Sequence, residues 1–311
     1  MSWVFVALAA YLLLAIVNLL DKFLVDNVLK SSKAYAFIVC TLGLAVFLAA
    51  PWLLEWPGWF LFLFNIVNGV IFAIALWLLY EALRRGEAAR ILVFIGGVTP
   101  VFSLIFSILF FKEQFSLSQW AGIVALLSGV FIVALLPVQR SFLKRVFKKL
   151  RLTQEARRGG LGAALFCALA YSVYFLGTKY AYTGQSFASA FIWTRLGAGL
   201  FVLLFLIKRV DRLAITATFS KSSPGKNKFL VLFNQLMGST GFILQNYAVF
   251  LGSVVLVNAL QGVQYAFLLI VSTGLALFAP KLLKENFSWR ITIQKAAAVL
   301  VIVLGFYFVT L

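Results

Sequence analysis

Apolar stretches of about twenty residues recur ten times along the chain, separated by short polar intervals. They run near 2–20, 34–54, 58–80, 89–111, 117–137, 160–182, 187–207, 229–251, 253–279 and 290–310. A hydrocarbon core of about 30 Å is crossed by roughly 20 apolar residues in a helix. The pattern therefore predicts an all-α membrane protein with ten transmembrane helices. Most flanks carry Trp, Tyr, Lys or Arg, the residues that anchor helices at a membrane interface.

The ten spans divide into two similar sets of five. Lys112-Glu113-Gln114-Phe115-Ser116 returns as Lys284-Glu285-Asn286-Phe287-Ser288, and Leu42-Gly43 returns as Leu196-Gly197. Leu63-Phe64-Asn65 and Gly69 return as Leu232-Phe233-Asn234 and Gly238. An odd number of spans per copy makes the second copy enter the membrane from the opposite side, so two inverted five-helix repeats are expected. The first covers 1–137 and the second 160–311, joined by a linker at 138–159.

In that linker Leu143, Val146, Phe147 and Leu150 fall at helical spacing, with Lys144, Arg145, Lys148, Lys149 and Arg151 on the other face. This predicts an amphipathic helix on the anionic cytoplasmic leaflet. The stretch 208–228 contains Ser-Ser-Pro-Gly at 222–225 and is expected to be a flexible cytoplasmic connection.

Composition agrees with a membrane chain: 63% of the 311 residues are hydrophobic and only 12% are charged. The net charge of +18 would suggest nucleic acid in a soluble protein. Its distribution says otherwise. Of 27 Lys and Arg residues, 24 fall in the loops after spans 1, 3, 5, 7 and 9 or in adjoining span ends. Positive residues are retained in the cytoplasm, so those loops are expected to be cytoplasmic and both termini outside. The expected partner is the lipid bilayer, in a bacterial cytoplasmic membrane, and no nucleic acid. The first span is not expected to be a cleaved leader, since Asp21 and Lys22 follow it and no basic segment precedes it.

The chain has no histidine and two cysteines, Cys40 and Cys167, each inside an apolar span. His-based acid–base chemistry, Ser-His triads and His-metal sites are excluded. No enzymatic activity, cofactor or metal is expected.

Polar side chains inside a span cost free energy unless they face protein or water, so their positions mark the interior. Asn65, Gly69, Phe72, Leu76 and Tyr80 share one face of span 3. Asn234, Gly238, Gly241 and Gln245 form the matching stripe of span 8. Span 9 adds Asn258, Gln261 and Tyr265 with Gln264 beside them, span 1 adds Asn18, and span 6 adds Tyr171 and Tyr174. Trp77 and Tyr80 could supply aromatic walls. These stripes serve equally as helix–helix glue or as a hydrogen-bonding wall for a solute. Arg195 lies inside span 7 with no acidic residue at comparable depth, and its counterpart Thr41 shows that the repeat does not need Arg there. It is a candidate ligand for a carboxylate or phosphate, or a side chain that snorkels to the interface. No carboxylate sits at mid-membrane, so exchange or facilitated passage is expected rather than proton antiport. Asp21 is the nearest candidate, if span 1 is tilted or continues past Leu24. Ala125 and Gly129 suit close helix contact within the protomer or across a homodimer.

Tyr80-Glu81-Ala82-Leu83, Glu87-Ala88-Ala89-Arg90, Thr99-Pro100-Val101-Phe102, Lys112-Glu113, Gln119-Trp120-Ala121-Gly122 and Ser128-Gly129-Val130 resemble the EamA domain, the repeat unit of the drug/metabolite transporter superfamily. The first copy carries most of the resemblance; in the second, Pro100 aligns with Ala266 and about six extra residues precede Lys284. The resemblance implies transport and leaves the substrate open; together with the polar stripes the expectation is a secondary transporter or exporter of a small polar metabolite, anionic if Arg195 binds it. A flippase for a lipid-linked substrate and a non-transporting membrane scaffold stand as alternatives.

Overall fold

The computed structural model describes residues 2–24, 31–86, 88–135, 160–219, 225–267 and 289–310; the basic linker helix expected at 138–159 and the second Lys-Glu-Asn-Phe-Ser motif lie outside them. Among the described residues the chain is almost entirely helical, with no strand.

The first half of the chain contributes five helices. They are α1 (Ser2–Leu24), α2 (Ser32–Gly43, continued through a 3-10 stretch to Leu53), α3 (Trp59–Arg85), α4 (Ala88–Phe106, ending in a π turn at Ser107–Phe111) and α5 (Leu117–Leu135). The second half contributes α6 (Gly160–Ala181), α7 (Phe187–Leu203), α8 (Arg209–Phe219), α9 (Gly225–Leu251), α10 (Val254–Phe267) and α11 (Trp289–Thr310). Five segments are long and apolar enough to cross a bilayer: Ser32–Leu53, Trp59–Arg85, Ile91–Phe111, Gly160–Ala181 and Phe187–Leu206. Shorter apolar helices run along Ser2–Asn18, Leu117–Ile132, Val254–Phe267 and Ala296–Thr310.

Local chemistry sets the helix ends. The Ser31 and Ser186 hydroxyls accept from the backbone N–H groups of Ala34 and Ser189, and Ser253 caps α10 through Val255 and Leu256. Lys112, with φ of 51°, closes α4 in the left-handed conformation. Lys179 donates to the carbonyls of Val249, Phe250 and Gly252 at 2.7–3.3 Å, satisfying the open C-terminal end of α9.

Helix ends gather in separate polar clusters. Ser32 and Lys33 (at the start of α2), the Glu81–Arg84–Arg85 cluster (end of α3) and Asp211 (α8) lie together, through Ser32 Oγ to Glu81 at 2.5 Å and Lys33 Nζ to Asp211 at 2.6 Å. Elsewhere Glu55, after α2, meets Ser189 and Trp193 at the start of α7. The ends of α4 and α6 and the start of α10 border a cavity of about 220 Å³ lined by Ser107, Glu113, Lys179 and Ser253.

One stretch departs from expectation. Residues 209–219, anticipated as belonging to a flexible connection, form α8. The helix is amphipathic: Ile215 is buried, Arg209 and Arg212 are exposed, and Asp211 in its first turn suits the positive end of the helix dipole.

In the packing, α1 lies along α9, α6 along α3, and α5 along α11; α3 also packs closely on α7 and α4 on α6. The α5–α11 seam is built from small residues, as expected for the Gly129 region. A Cβ added at Gly129 would sit 2.5 Å from Ile302, and one at Gly122 2.5 Å from Val309, so this close contact is made within the chain.

Candidate functional site

The central residue is Arg195, placed in the third turn of α7. Its side chain is only 6% exposed. Three rings enclose the guanidinium, with Cζ 4.1 Å from the centroid of Phe72 (α3), 4.4 Å from Phe191 (α7) and 4.8 Å from Phe242 (α9). Gly43 of α2 lies against its Cδ: a Cβ there would be at 3.6 Å. Four helices thus converge on one cation. Cation–π attraction compensates some of its desolvation, but Nη2 is buried with no hydrogen-bond partner. Arg195 points into the helix bundle rather than to the interface.

Asn65, on the same face of α3 as Phe72, is fully buried, and neither its Nδ2 nor its Oδ1 has a partner. A buried amide left unsatisfied costs about 1–3 kcal/mol. In a native structure such a group needs an explanation, and a ligand or ordered water is the usual one.

The other amides and phenols tie helices together. Asn234 Nδ2 donates to Asp21 at 2.6 Å and to the Tyr35 hydroxyl at 3.1 Å. Gln245 Nε2 donates to the Tyr11 hydroxyl at 3.4 Å, and that hydroxyl donates to the Val257 carbonyl at 2.6 Å. Asn258 Nδ2 donates to Ser103 Oγ at 2.9 Å, leaving its own Oδ1 unpartnered. The Tyr265 hydroxyl crosses to the Leu92 carbonyl over Gly96, where any side chain would collide with the phenol. Gln264 is buried with Nε2 unpartnered.

Tyr80 stacks on Tyr35 with ring centroids 4.2 Å apart. Tyr171 stacks on Phe175, 6.1 Å apart, and Phe175 packs on both Tyr174 and Phe242, which links Tyr171 to the rings around Arg195. Trp77 instead packs on Phe205 under the Lys33 ammonium. Asn18 and Gln261 are half-buried.

The structure adds residues that the sequence did not single out. Asn68 donates to Thr178 Oγ1 at 3.0 Å and the Tyr174 carbonyl at 3.3 Å. The Tyr174 hydroxyl donates to Asn246 Oδ1 at 2.8 Å. Phe191 and Phe242 carry no polar mark and are two of the chain's 33 phenylalanines; only the position of Arg195 could have pointed to them. Asp21, already named as the nearest carboxylate, is buried on α1 (Ser2–Leu24). Arg195 and Asn65 are thus buried polar side chains with unpartnered atoms, and aromatic rings surround the guanidinium.

Residues 1–135 match the EamA-like transporter family, and with its apolar helices the chain is an integral, multi-pass membrane protein. An uncharacterized protein of Methanocaldococcus jannaschii is 35% identical over 72 residues, which are 23% of this chain and 52% of that protein, so the chain spans about half the length of the curated relative it matches. A solved structure described only as the crystal structure of a protein aligns with a TM-score of 0.63 at 17% identity, covering 99% of this chain and 95% of the other. At that identity it shows a shared fold and nothing about activity.

Proposed function

We propose, from the EamA-like first 135 residues and the buried cation of α7, that this protein is a secondary transporter that carries a small polar, anionic metabolite by alternating access. The observation that carries the reading is Arg195: a guanidinium 6% exposed, held by aromatic faces from three helices, with Nη2 unpartnered. A buried charge without a counter-ion costs several kcal/mol. A carboxylate or phosphate on the solute offsets that cost when it binds. Asn65 supplies a donor and an acceptor near the same face of α3.

Two inverted repeats would relate the three most extensive seams. Exchanging the copies maps α1 onto α6, α3 onto α9 and α5 onto α11. The α1–α9 seam becomes the α6–α3 seam, and α5–α11 maps onto itself; all three are extensive contacts. Two of the larger seams break the exchange: α3 packs tightly on α7, whereas its counterpart, α9 on α2, makes only slight contact, and α4 packs on α6, whereas α10 and α1 make no comparable contact among the described residues. Inequivalent seams between equivalent elements are what one state of an alternating carrier presents. The other state would close α9 on α2 and open α3 from α7.

The test is solute efflux from proteoliposomes loaded with a panel of labelled carboxylates, phosphates, neutral solutes and amines. The wild type should move one or more anions. Arg195→Ala should lose that flux, and Arg195→Lys should retain a fraction of it. Equal anion flux in wild type and Arg195→Ala would remove Arg195 from the site.

A further inference from the structure

Asp21 presents a second buried charge, on α1 and away from Arg195. Tyr35 of α2 meets Asp21, and Gly43 of α2 meets Arg195. Eight residues of helix at 1.5 Å each separate those two positions by about 12 Å. Asp21 and Arg195 thus meet α2 about two turns apart.

The surroundings of Asp21 are specific. Its Oδ1 accepts from the Tyr35 hydroxyl and from Asn234 Nδ2, and that Nδ2 also donates to the Tyr35 oxygen. Tyr80 of α3 stacks on Tyr35. The charges beyond them at this end are already engaged: Glu81 with Arg84 and Arg85, and Lys33 with Asp211. Among the described residues no cation pairs with Asp21. The second observation is Asn234 Oδ1, which is buried with no partner beside this carboxyl group.

We infer that Asp21 is a proton-binding site, read out by the Asn234 amide. In the ionised form the carboxylate accepts from Nδ2, the arrangement seen here. When a proton binds, an O–H bond forms on the carboxyl group and the site gains a donor. A half-turn of the Asn234 amide then brings Oδ1 round to accept that O–H, and Nδ2 gives up its bond to Asp21. On release the O–H bond breaks, the proton returns to water and the amide turns back. A metal cation fits less well, since a hard cation wants oxygens alone and a donor N–H is aimed at the carboxylate. Asn234 sits on α9 and Asp21 on α1, two helices packed along their length. Proton occupancy therefore bears on the seam between the two copies, and the site deepens the carrier reading by supplying a coupling ion, where the absence of a mid-span carboxylate had favoured exchange.

The experiment follows the carboxyl groups by infrared difference spectroscopy on the full chain in lipid, labelled with ¹³C-aspartate. Only Asp21, Asp26 and Asp211 then carry the isotope shift. Across about pH 5–8, where folded proteins are most stable, a protonated-carboxyl band should grow in as the pH falls, carry the shift, and persist in Asp26→Asn and Asp211→Asn. Asp21→Asn should lack it; if that variant does not fold, Asn234→Leu, which removes the amide, should move the band's midpoint. Arg195→Ala should keep the band even where it loses solute flux, which separates this inference from the transport reading. A carboxyl group that stays ionised throughout, or a band that survives unmoved in Asp21→Asn or Asn234→Leu, would make Asp21 a fixed structural cross-link and overturn the inference.

Discussion

Gly69 of α3 and Gly197 of α7 meet backbone to backbone. A Cβ added at Gly69 would lie 2.0 Å from the Thr194 carbonyl oxygen and 2.9 Å from Gly197 Cα, and one at Gly197 would lie 2.2 Å from the Ile66 carbonyl oxygen. The equivalent pair in the other half, Gly43 and Gly238, is not joined. Gly43 faces the Arg195 side chain at 3.6 Å and Gly238 faces Val17 at 3.3 Å. One glycine pair is thus closed while its twin stands open.

Alanine should therefore act asymmetrically. Gly69→Ala and Gly197→Ala must push the α3 and α7 backbones apart and should destabilise the protein by about 1–3 kcal/mol, the usual cost of overpacking. Gly43→Ala, whose nearest neighbour is the flexible Arg195 chain, should cost under about 1 kcal/mol. Thermal unfolding of the purified variants measures the difference.

If the second state closes α9 on α2, Gly43 and Gly238 come together in it. A Gly43→Cys/Gly238→Cys pair, in a chain freed of Cys40 and Cys167, should cross-link under oxidation faster when transported solute is present. Cross-linking that ignores solute would contradict the exchange of seams.

Asn65 and Asn68, on α3 and about one turn from each other, should differ in behaviour. Asn68 makes two interhelical bonds, so Asn68→Leu should lower stability by about 1–3 kcal/mol. Asn65 makes none. Asn65→Leu removes an unsatisfied amide and should leave stability equal or higher, while weakening solute binding. Paired unfolding and flux measurements on the two variants distinguish them.

Tyr11→Phe strands the Val257 carbonyl and the Gln245 amide in the core. It should cost about 1–3 kcal/mol, read as a lower unfolding midpoint with the helix content of the folded state unchanged.

Much of this was legible in the chain because lipid leaves few choices. Twenty apolar residues without a charge must form a helix, and α3, α6 and α7 lie where the hydropathy put them. Arg195 could be singled out for the same reason: a charge at that depth requires an explanation. The roles of the amides were less legible. Asn234 and Asn65 follow the same Leu-Phe pair in the sequence, yet one is bonded to Asp21 and Tyr35 and the other is unpartnered, because the neighbouring helices differ. Asp21 looked like a span end, since only tertiary packing by α2 and α9 buries it. The helix α8 was hidden by its low hydrophobicity and by the Ser-Ser-Pro-Gly stretch that follows it; its order comes from burying Ile215 and pairing Asp211 with Lys33.

The central claim is that Arg195 marks an anion site which water and solute reach from one side of the membrane at a time. The direct measurement is modification of Arg195→Cys, with Cys40 and Cys167 replaced, by a membrane-impermeant anionic thiol reagent added to either side of oriented proteoliposomes. The account predicts labelling from one side in the resting protein, a shift toward the other side during transport, and protection by bound solute. A cysteine at 195 that stays unlabelled from both sides would show a position sealed within packed helices, and the carrier reading would fall with it.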